Sequence, residues 1–260
     1  MRYSPVMNVM VAAARKASRG LNRDFGEVEA LQVSKKGPAD FVSAADRKAE
    51  EVLFTELQKA RPYYGFLMEE RGVVEGPDKS HRFIVDPIDG TTNYLHGIPH
   101  FAISIGLERE GQLVAGLVYN PITDELFWAE KGTGAFLNDK RLRVSARKLP
   151  EEAVVATGTP WKGYGDHARF QAELGRVTSQ VAGIRRFGSA SLDLAFVAAG
   201  RFDAFWERGL KPWDIAAGIV LVREAGGTVT GLDGGDTALG GDVLASNAGL
   251  HQPLLKIIAD

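Results

Sequence analysis

The sequence predicts two unlike halves: an α+β half over residues 1–150 and an α/β half over residues 151–260. Two long helical stretches open the chain. A run of apolar strands joined by turn-forming words follows them. Beyond Pro150 short strands and helices alternate, the rhythm of a layered sheet covered by helices.

Taken in order, residues 6–25 carry helical periodicity, with Val6, Met10, Ala13 and Ala17 able to share a face. Residues 32–40 hold Lys35, Lys36, Gly37 and Pro38, a loop composition. A second helix is expected over residues 43–60, stopping before Pro62. Residues 65–68 read as a short strand delivering Glu69 and Glu70, and residues 82–85 as another delivering Asp86. Strands over 101–108, 113–119 and 125–129 are separated by Glu110-Gly111 and Asn120-Pro121, which implies an antiparallel sheet packed on the first two helices. In the second half, strands over 153–156, 184–187, 204–206 and 243–245 alternate with helices over 166–178, 189–199 and 213–225, and a last helix starts near Gly249. Gly226-Gly227 closes the 213–225 helix. A site is expected where the strand ends of the two halves meet.

A formal net charge of −2 gives no general polyanion-binding field, so a nucleic-acid partner is not expected. The absence of cysteine excludes disulfides, zinc–thiolate sites and thiol nucleophiles. No apolar run approaches the ~20 residues that span a bilayer, so no membrane partner is expected. The opening stretch, broken by Arg15 and Lys16, reads as an amphipathic helix and not as a signal peptide. A cytoplasmic location is the expectation.

The apolar run Phe83-Ile84-Val85 leads straight into Asp86-Pro87-Ile88-Asp89-Gly90-Thr91-Thr92-Asn93. Carboxylates at the end of a buried strand are costly unless something positive meets them. Hard divalent cations, Mg²⁺ above all, take oxygen ligands of this kind. Pro87 fixes its own φ and disfavours helix at Asp86, so the chain is expected to turn there and aim two carboxylates and the Ile88 carbonyl into one volume. Gly90 permits close backbone approach, and Thr91-Thr92-Asn93 can open a helix whose free N–H groups receive a phosphate. Asp89 alone reads equally well as a helix cap. Glu69 and Glu70 should point to opposite faces, so only one enters the site. Asp214 follows Pro212-Trp213 at a helix start, where an Asp is often only a cap. The small residues Ala216, Ala217 and Gly218 suggest a closely packed helix end that brings this carboxylate in from the second half. These features point to a metal-dependent enzyme acting on a phosphate. His81, His96, His100, His167 and His251 show no useful ligand spacing, and Arg185-Arg186 reads as a solvated pair.

The chain resembles the inositol monophosphatase family. Asp86-Pro87-Ile88-Asp89-Gly90-Thr91 matches its first signature. Lys211-Pro212-Trp213-Asp214-Ile215-Ala216-Ala217-Gly218, with Glu224-Ala225-Gly226-Gly227, matches its second. The likeness extends to Ala39-Asp40-Phe41-Val42-Ser43-Ala44-Ala45-Asp46, Glu69-Glu70 and Gly188-Ser189-Ala190-Ser191. It implies a layered αβαβα sandwich, a homodimer and a Mg²⁺-dependent phosphatase. By that resemblance Glu69, Asp86 and the Ile88 carbonyl bind one Mg²⁺, Asp86, Asp89 and Asp214 bind a second, and Glu69 also holds a weaker third. Gly90 and Thr91 amides bind the phosphate. The Thr91 hydroxyl, held by Asp46, readies the attacking water with Glu69. Asp89, Gly188, Ser189, Ala190 and Glu207 approach the alcohol of the substrate, and Lys35 corresponds to a loop lysine near the site.

Met68 stands where many relatives have Gly, which is expected to shift a mobile loop over residues 71–80. Trp161 falls in the expected substrate-specificity region. The expected substrate is a small polyol or sugar monophosphate, inositol 1-monophosphate foremost. The alternatives are fructose 1,6-bisphosphate, a 3′-phosphoadenosine nucleotide or NADP(H), or a non-enzymatic role in binding RNA or a transcription complex.

Overall fold

The structure, a computed structural model, describes residues 3–25, 33–35 and 41–259. Helix α1 (Pro5–Asp24) starts where the Ser4 hydroxyl accepts from the Met7 N–H at 3.1 Å, with Pro5 in the first turn. Met7, Met10, Ala14, Ala17 and Leu21 form its buried stripe. Helix α2 (Ala44–Ala60) buries Ala45, Ala49, Leu53 and Leu57, each one turn after the last. Between them β1 (Val33–Lys35) pairs antiparallel with β2 (Phe41–Ser43), so the expected loop is partly ladder. Lys36, Gly37, Pro38, Ala39 and Asp40 lie outside the described residues.

The larger sheet comprises β3 (Tyr64–Met68), β4 (Gly72–Val74), β5 (Asp78–Asp89), β6 (Ala102–Arg109), β7 (Gln112–Asn120), β8 (Glu125–Glu130), β9 (Gly134–Leu137) and β10 (Lys140–Arg141). Their order is β10-β9-β8-β7-β6-β5-β3-β4. The expected antiparallel sheet is in fact mixed, because β3 runs parallel to β5 while its other pairs are antiparallel. The expected loop over residues 71–80 is largely hairpin, with β4 folded back on β3 and β5 already begun at Asp78. Strand β5 also does not end at Asp86. It continues through Pro87 to Asp89, and the missing proline donor is tolerated because pairing with β6 slips between Asp86 and Asp89. Helix α3 (Thr91–Leu95) follows at once.

The second sheet holds β11 (Val154–Thr157), β12 (Gly183–Arg185), β13 (Ala204–Glu207), β14 (Thr228–Gly231) and β15 (Val243–Ser246), in the order β12-β11-β13-β15-β14. β11 is parallel to β12 and β13, and β15 is antiparallel to β13 and β14. Helices α4 (His167–Thr178), α5 (Ala190–Ala198), α6 (Pro212–Glu224) and α7 (Ala248–Ala259) complete the fold.

Three apolar cores hold five layers together, the middle core filling both faces of its helix layer. α1 and α2 pack on one face of the larger sheet. Its other face meets α5 and α6, which bury both their sides because the second sheet lies beyond them. α4 and α7 cover the outer face of that sheet. The result is an αβαβα sandwich. α6 lies so close to the larger sheet that a Cβ on Gly116 would stand 2.4 Å from the Ala217 carbonyl oxygen. This approach brings the first turn of α6, and with it Asp214, to the end of β5.

Candidate active site

The slipped register at the end of β5 breaks strict strand alternation, and Asp86 and Asp89 both enter one cluster. Asp86 is 2% exposed, and its Oδ1 accepts from the Ile88 N–H at 2.9 Å. Gly90 follows with φ of 96°, and a Cβ there would stand 3.1 Å from the His100 carbonyl oxygen and 3.2 Å from that of Gly188. Only glycine meets both demands easily.

Asp214 arrives from the other side. Pro212 opens α6, and Asp214 Oδ2 accepts from the Lys211 N–H at 2.7 Å. The residue is thus a helix cap and a member of the cluster at once. One carboxylate oxygen each of Asp86, Asp89 and Asp214 lies within 4.8 Å of the others. Burial and the charges of Glu69, Asp89, Asp214 and Asp46 hold the Asp86 carboxyl well above the usual range. Burial, then the charge of Asp89, pushes Asp214 up to about 8. Burial also raises Asp89, opposed by hydrogen bonds from Ser191 and Ser189. Among the described residues none of these three aspartates forms an ion pair with Lys or Arg. An oxygen-only donor set with crowded negative charge fits a hard divalent cation.

Glu69 sits in the turn after β3 and not on the strand, so alternation does not decide its direction. Its N–H reaches the Val85 carbonyl at 3.3 Å, which ties the turn to β5. Glu69 is outside the tight group of three, yet it is the strongest of the charges raising Asp86. The Thr91 hydroxyl donates to the Ile88 carbonyl at 2.9 Å, with Asp46 Oδ1 more distant at 3.5 Å. Asp46, 1% exposed, reaches this point from the first turn of α2.

On the facing side, Asp89 Oδ2 accepts from the Ser189 hydroxyl and the Ser191 N–H, both at 2.7 Å, at the start of α5 beside Gly188 and Ala190. Glu207, at the end of β13, lays its carboxyl over Gly158, where a Cβ would fall 1.8 Å from Oε1. Burial pushes Glu207 up to about 8, with Arg186 opposing and Asp89 assisting.

Four residues near this site went unassigned in the sequence. The Asn93 amide donates to the His100 carbonyl at 2.7 Å and to the Phe187 carbonyl at 2.8 Å, fastening α3 to the loop before α5. Ser191 holds Asp89, and Asp193 is buried facing the charges of Glu207, Asp89 and Arg186. Glu50 braces the turn after Glu69. Asn93 closes the octapeptide already singled out, and Glu50 lies one helical turn after Asp46, so both carried a positional signal. Met68 is fully buried in the first core, and the Trp161 ring stacks on Tyr164 at 4.4 Å with 38% exposure. No histidine joins the carboxylate group among the described residues. Of Lys35 only its place in β1 is described.

The sequence profile of the Inositol monophosphatase family matches residues 2–259. A protein of Mesorhizobium japonicum named Inositol-1-monophosphatase is 60% identical over 259 residues, covering 99% of this chain and 97% of its own. Nus factor SuhB of Escherichia coli K12 is 41% identical, covering 98% and 96%. The crystal structure of extragenic suppressor protein suhB from Bartonella henselae superposes with a TM-score of 0.95 at 58% identity, covering 98% of both chains. The chain therefore belongs to the inositol monophosphatase family and is a metal-dependent hydrolase of small phosphate esters.

Proposed function

We propose that the protein is a Mg²⁺-dependent phosphatase that releases phosphate from a small polyol or sugar monophosphate, inositol 1-monophosphate foremost. One observation carries this reading: carboxylates from β5 and α6 meet within 4.8 Å, beside the Gly90–Thr91 turn. Relatives about as similar as the Mesorhizobium protein bear the same name, with identities of 59% and 61%. Glu69, Asp86 and the Ile88 carbonyl would hold one Mg²⁺, and Asp86, Asp89 and Asp214 a second. Bound there, the ions supply Lewis acidity that lowers the pKa of water and stabilises a leaving alkoxide. The Gly90 and Thr91 N–H groups bind the phosphate oxygens. Thr91, steadied by Asp46, orients the attacking water, and the Glu69 carboxylate accepts its proton. Asp89, Glu207, Ser189, Gly188 and Ala190 border the alcohol. Positioning and electrostatics do the catalytic work, and no covalent nucleophile is needed. The family resemblance also supports a homodimer, which sedimentation of the purified protein tests.

The test of function is phosphate release from a panel containing inositol 1-monophosphate, fructose 1,6-bisphosphate, a 3′-phosphoadenosine nucleotide and NADP(H), with Mg²⁺ and with chelator. Chelator-insensitive turnover, or equal kcat/KM on the inositol ester and the nucleotide, refutes the reading. A second reading, a part in a transcription complex, is favoured by the name of the 41% identical relative. The net charge of −2 offers no basic field for RNA. Salt-sensitive RNA binding by Asp89→Asn would favour it.

A further inference from the structure

α2 presents two buried acids one turn apart, Asp46 and Glu50, on the face that also buries Ala45, Ala49 and Leu53. Asp46 faces Thr91. Glu50, 3% exposed, faces the turn that carries Glu69. Glu50 Oε2 accepts from the Glu70 N–H at 2.8 Å and from the Arg71 N–H at 3.3 Å. Its Oε1 lies 3.8 Å from Arg71 Nε. The Arg71 guanidinium bonds Glu51 and stands 4.3 Å from the centre of the Phe54 ring, so three residues of α2 grip one residue of the turn.

A buried carboxylate is expensive unless hydrogen-bonded. Here the two backbone amides that meet it immediately follow Glu69. Without them, the β3–β4 hairpin would still form through its ladder from Phe66↔Val74 to Met68↔Gly72. The direction of the Glu69 carboxylate, which projects from the turn between those strands, would lose its brace. From this geometry we infer that Glu50 is a positioning residue: through the Glu70 and Arg71 amides it fixes the backbone from which Glu69 reaches the metal-binding cluster. One helix thereby sets two arms of the site, Thr91 through Asp46 and Glu69 through Glu50. The inference rests on the reading of Glu69 as a metal ligand.

The test uses Mn²⁺ alone, with binding followed by electron paramagnetic resonance in the absence of substrate, and amide exchange of the metal-free protein. Glu50→Ala should weaken Mn²⁺ binding about tenfold or more, as loss of a group supporting a metal ligand does. Exchange should speed at the Glu70 and Arg71 amides and stay slow at Ile84 and Val85. Glu50→Gln, which keeps an acceptor oxygen, should restore most of the affinity. If Glu50→Ala does not unfold cooperatively in chelator, Glu50→Asp takes its place: the charge remains but the acceptor is withdrawn by one methylene, and the same losses are expected. Wild-type affinity in the folded Glu50 variant, with Glu69→Gln impaired, overturns the inference and leaves the ligand reading standing. Wild-type affinity in Glu69→Gln overturns the ligand reading itself.

Discussion

Ser189 donates its hydroxyl to Asp89 Oδ2 at 2.7 Å, joining the start of α5 to the end of β5 across the interface between the layers. The same oxygen takes the Ser191 N–H. Asp89 is thus held from the second half of the chain before any ligand binds. Ser189→Ala removes the side-chain donor and leaves the backbone one. A hydrogen bond to a charged group contributes about 1.5–3 kcal/mol. The expected result is a loss of roughly tenfold to a hundredfold in kcat/KM, with Ser189→Thr retaining more than Ser189→Ala. Unchanged kinetics in the alanine variant would remove Ser189 from the site.

Crowded carboxylates make a second expectation. Asp214 is pushed up to about 8 by burial and by Asp89, so between its unfolded value near 4 and that figure the native state holds a proton that the unfolded state releases. The metal-free protein should therefore lose stability as pH rises from about 4 to 8. Asp214→Asn cannot ionise, so its midpoint should be higher than wild type in chelator at pH 8, and its fall with pH shallower. The same variant should lose nearly all Mg²⁺-dependent turnover. Differential scanning calorimetry at several pH values, with chelator and with saturating Mg²⁺, checks both signs. Parallel pH curves for the two proteins would contradict this account.

The stretches that build the carboxylate cluster and the turn beside it were legible because they are local. Asp86, Ile88, Asp89, Gly90 and Thr91 lie in one octapeptide, and Asp214 follows a proline that marks its helix start. The helices were legible through their apolar stripes, as Met10 and Ala17 of α1 show. Strand direction was not, since a period of two is the same for parallel and antiparallel neighbours. β3 beside β5 is the case in point. The short strands β9, β10 and β14 offered too few residues for any alternation. Strand alternation was the reason for expecting one of Glu69 and Glu70 in the site, and it does not apply, because both stand on a turn. Glu50 and Ser191 act through backbone amides or a backbone N–H, and no pattern of side-chain types announces that.

His251 gives a prediction away from the site. Its ring lies 2.9 Å from both the Ser246 and Thr230 hydroxyls, and burial pulls its pKa down from the ordinary value. The unfolded chain then binds a proton more readily than the native one, so stability should fall as pH drops below about 6.5 toward the folded pKa. This sign opposes that of Asp214, and saturating Mg²⁺ separates the two by holding the aspartates ionised. Under that condition His251→Gln should flatten the slope of unfolding free energy between about pH 7 and 5. An undiminished slope assigns the acid sensitivity to other groups.

Gly158 tests whether Glu207 recognises the alcohol. Any side chain at 158 must displace the Glu207 carboxyl, since a Cβ would come within 1.8 Å of Oε1. The cluster of Asp86, Asp89 and Asp214 is built from β5 and α6, whereas Gly158 follows β11, so metal binding should be spared. Gly158→Ala is therefore expected to raise KM for inositol 1-monophosphate up to about tenfold, roughly the upper cost of one lost hydrogen bond. Turnover of an aryl phosphate, which carries no hydroxyls for Glu207 to meet, should change much less. Glu207→Gln should follow the same split, because it replaces the carboxyl without filling the space over Gly158. Equal losses on both esters in the two variants would place Glu207 in the support of the fold and not in contact with substrate, and the specificity would then have to arise from the Asp89, Ser189 and Ala190 side of the pocket.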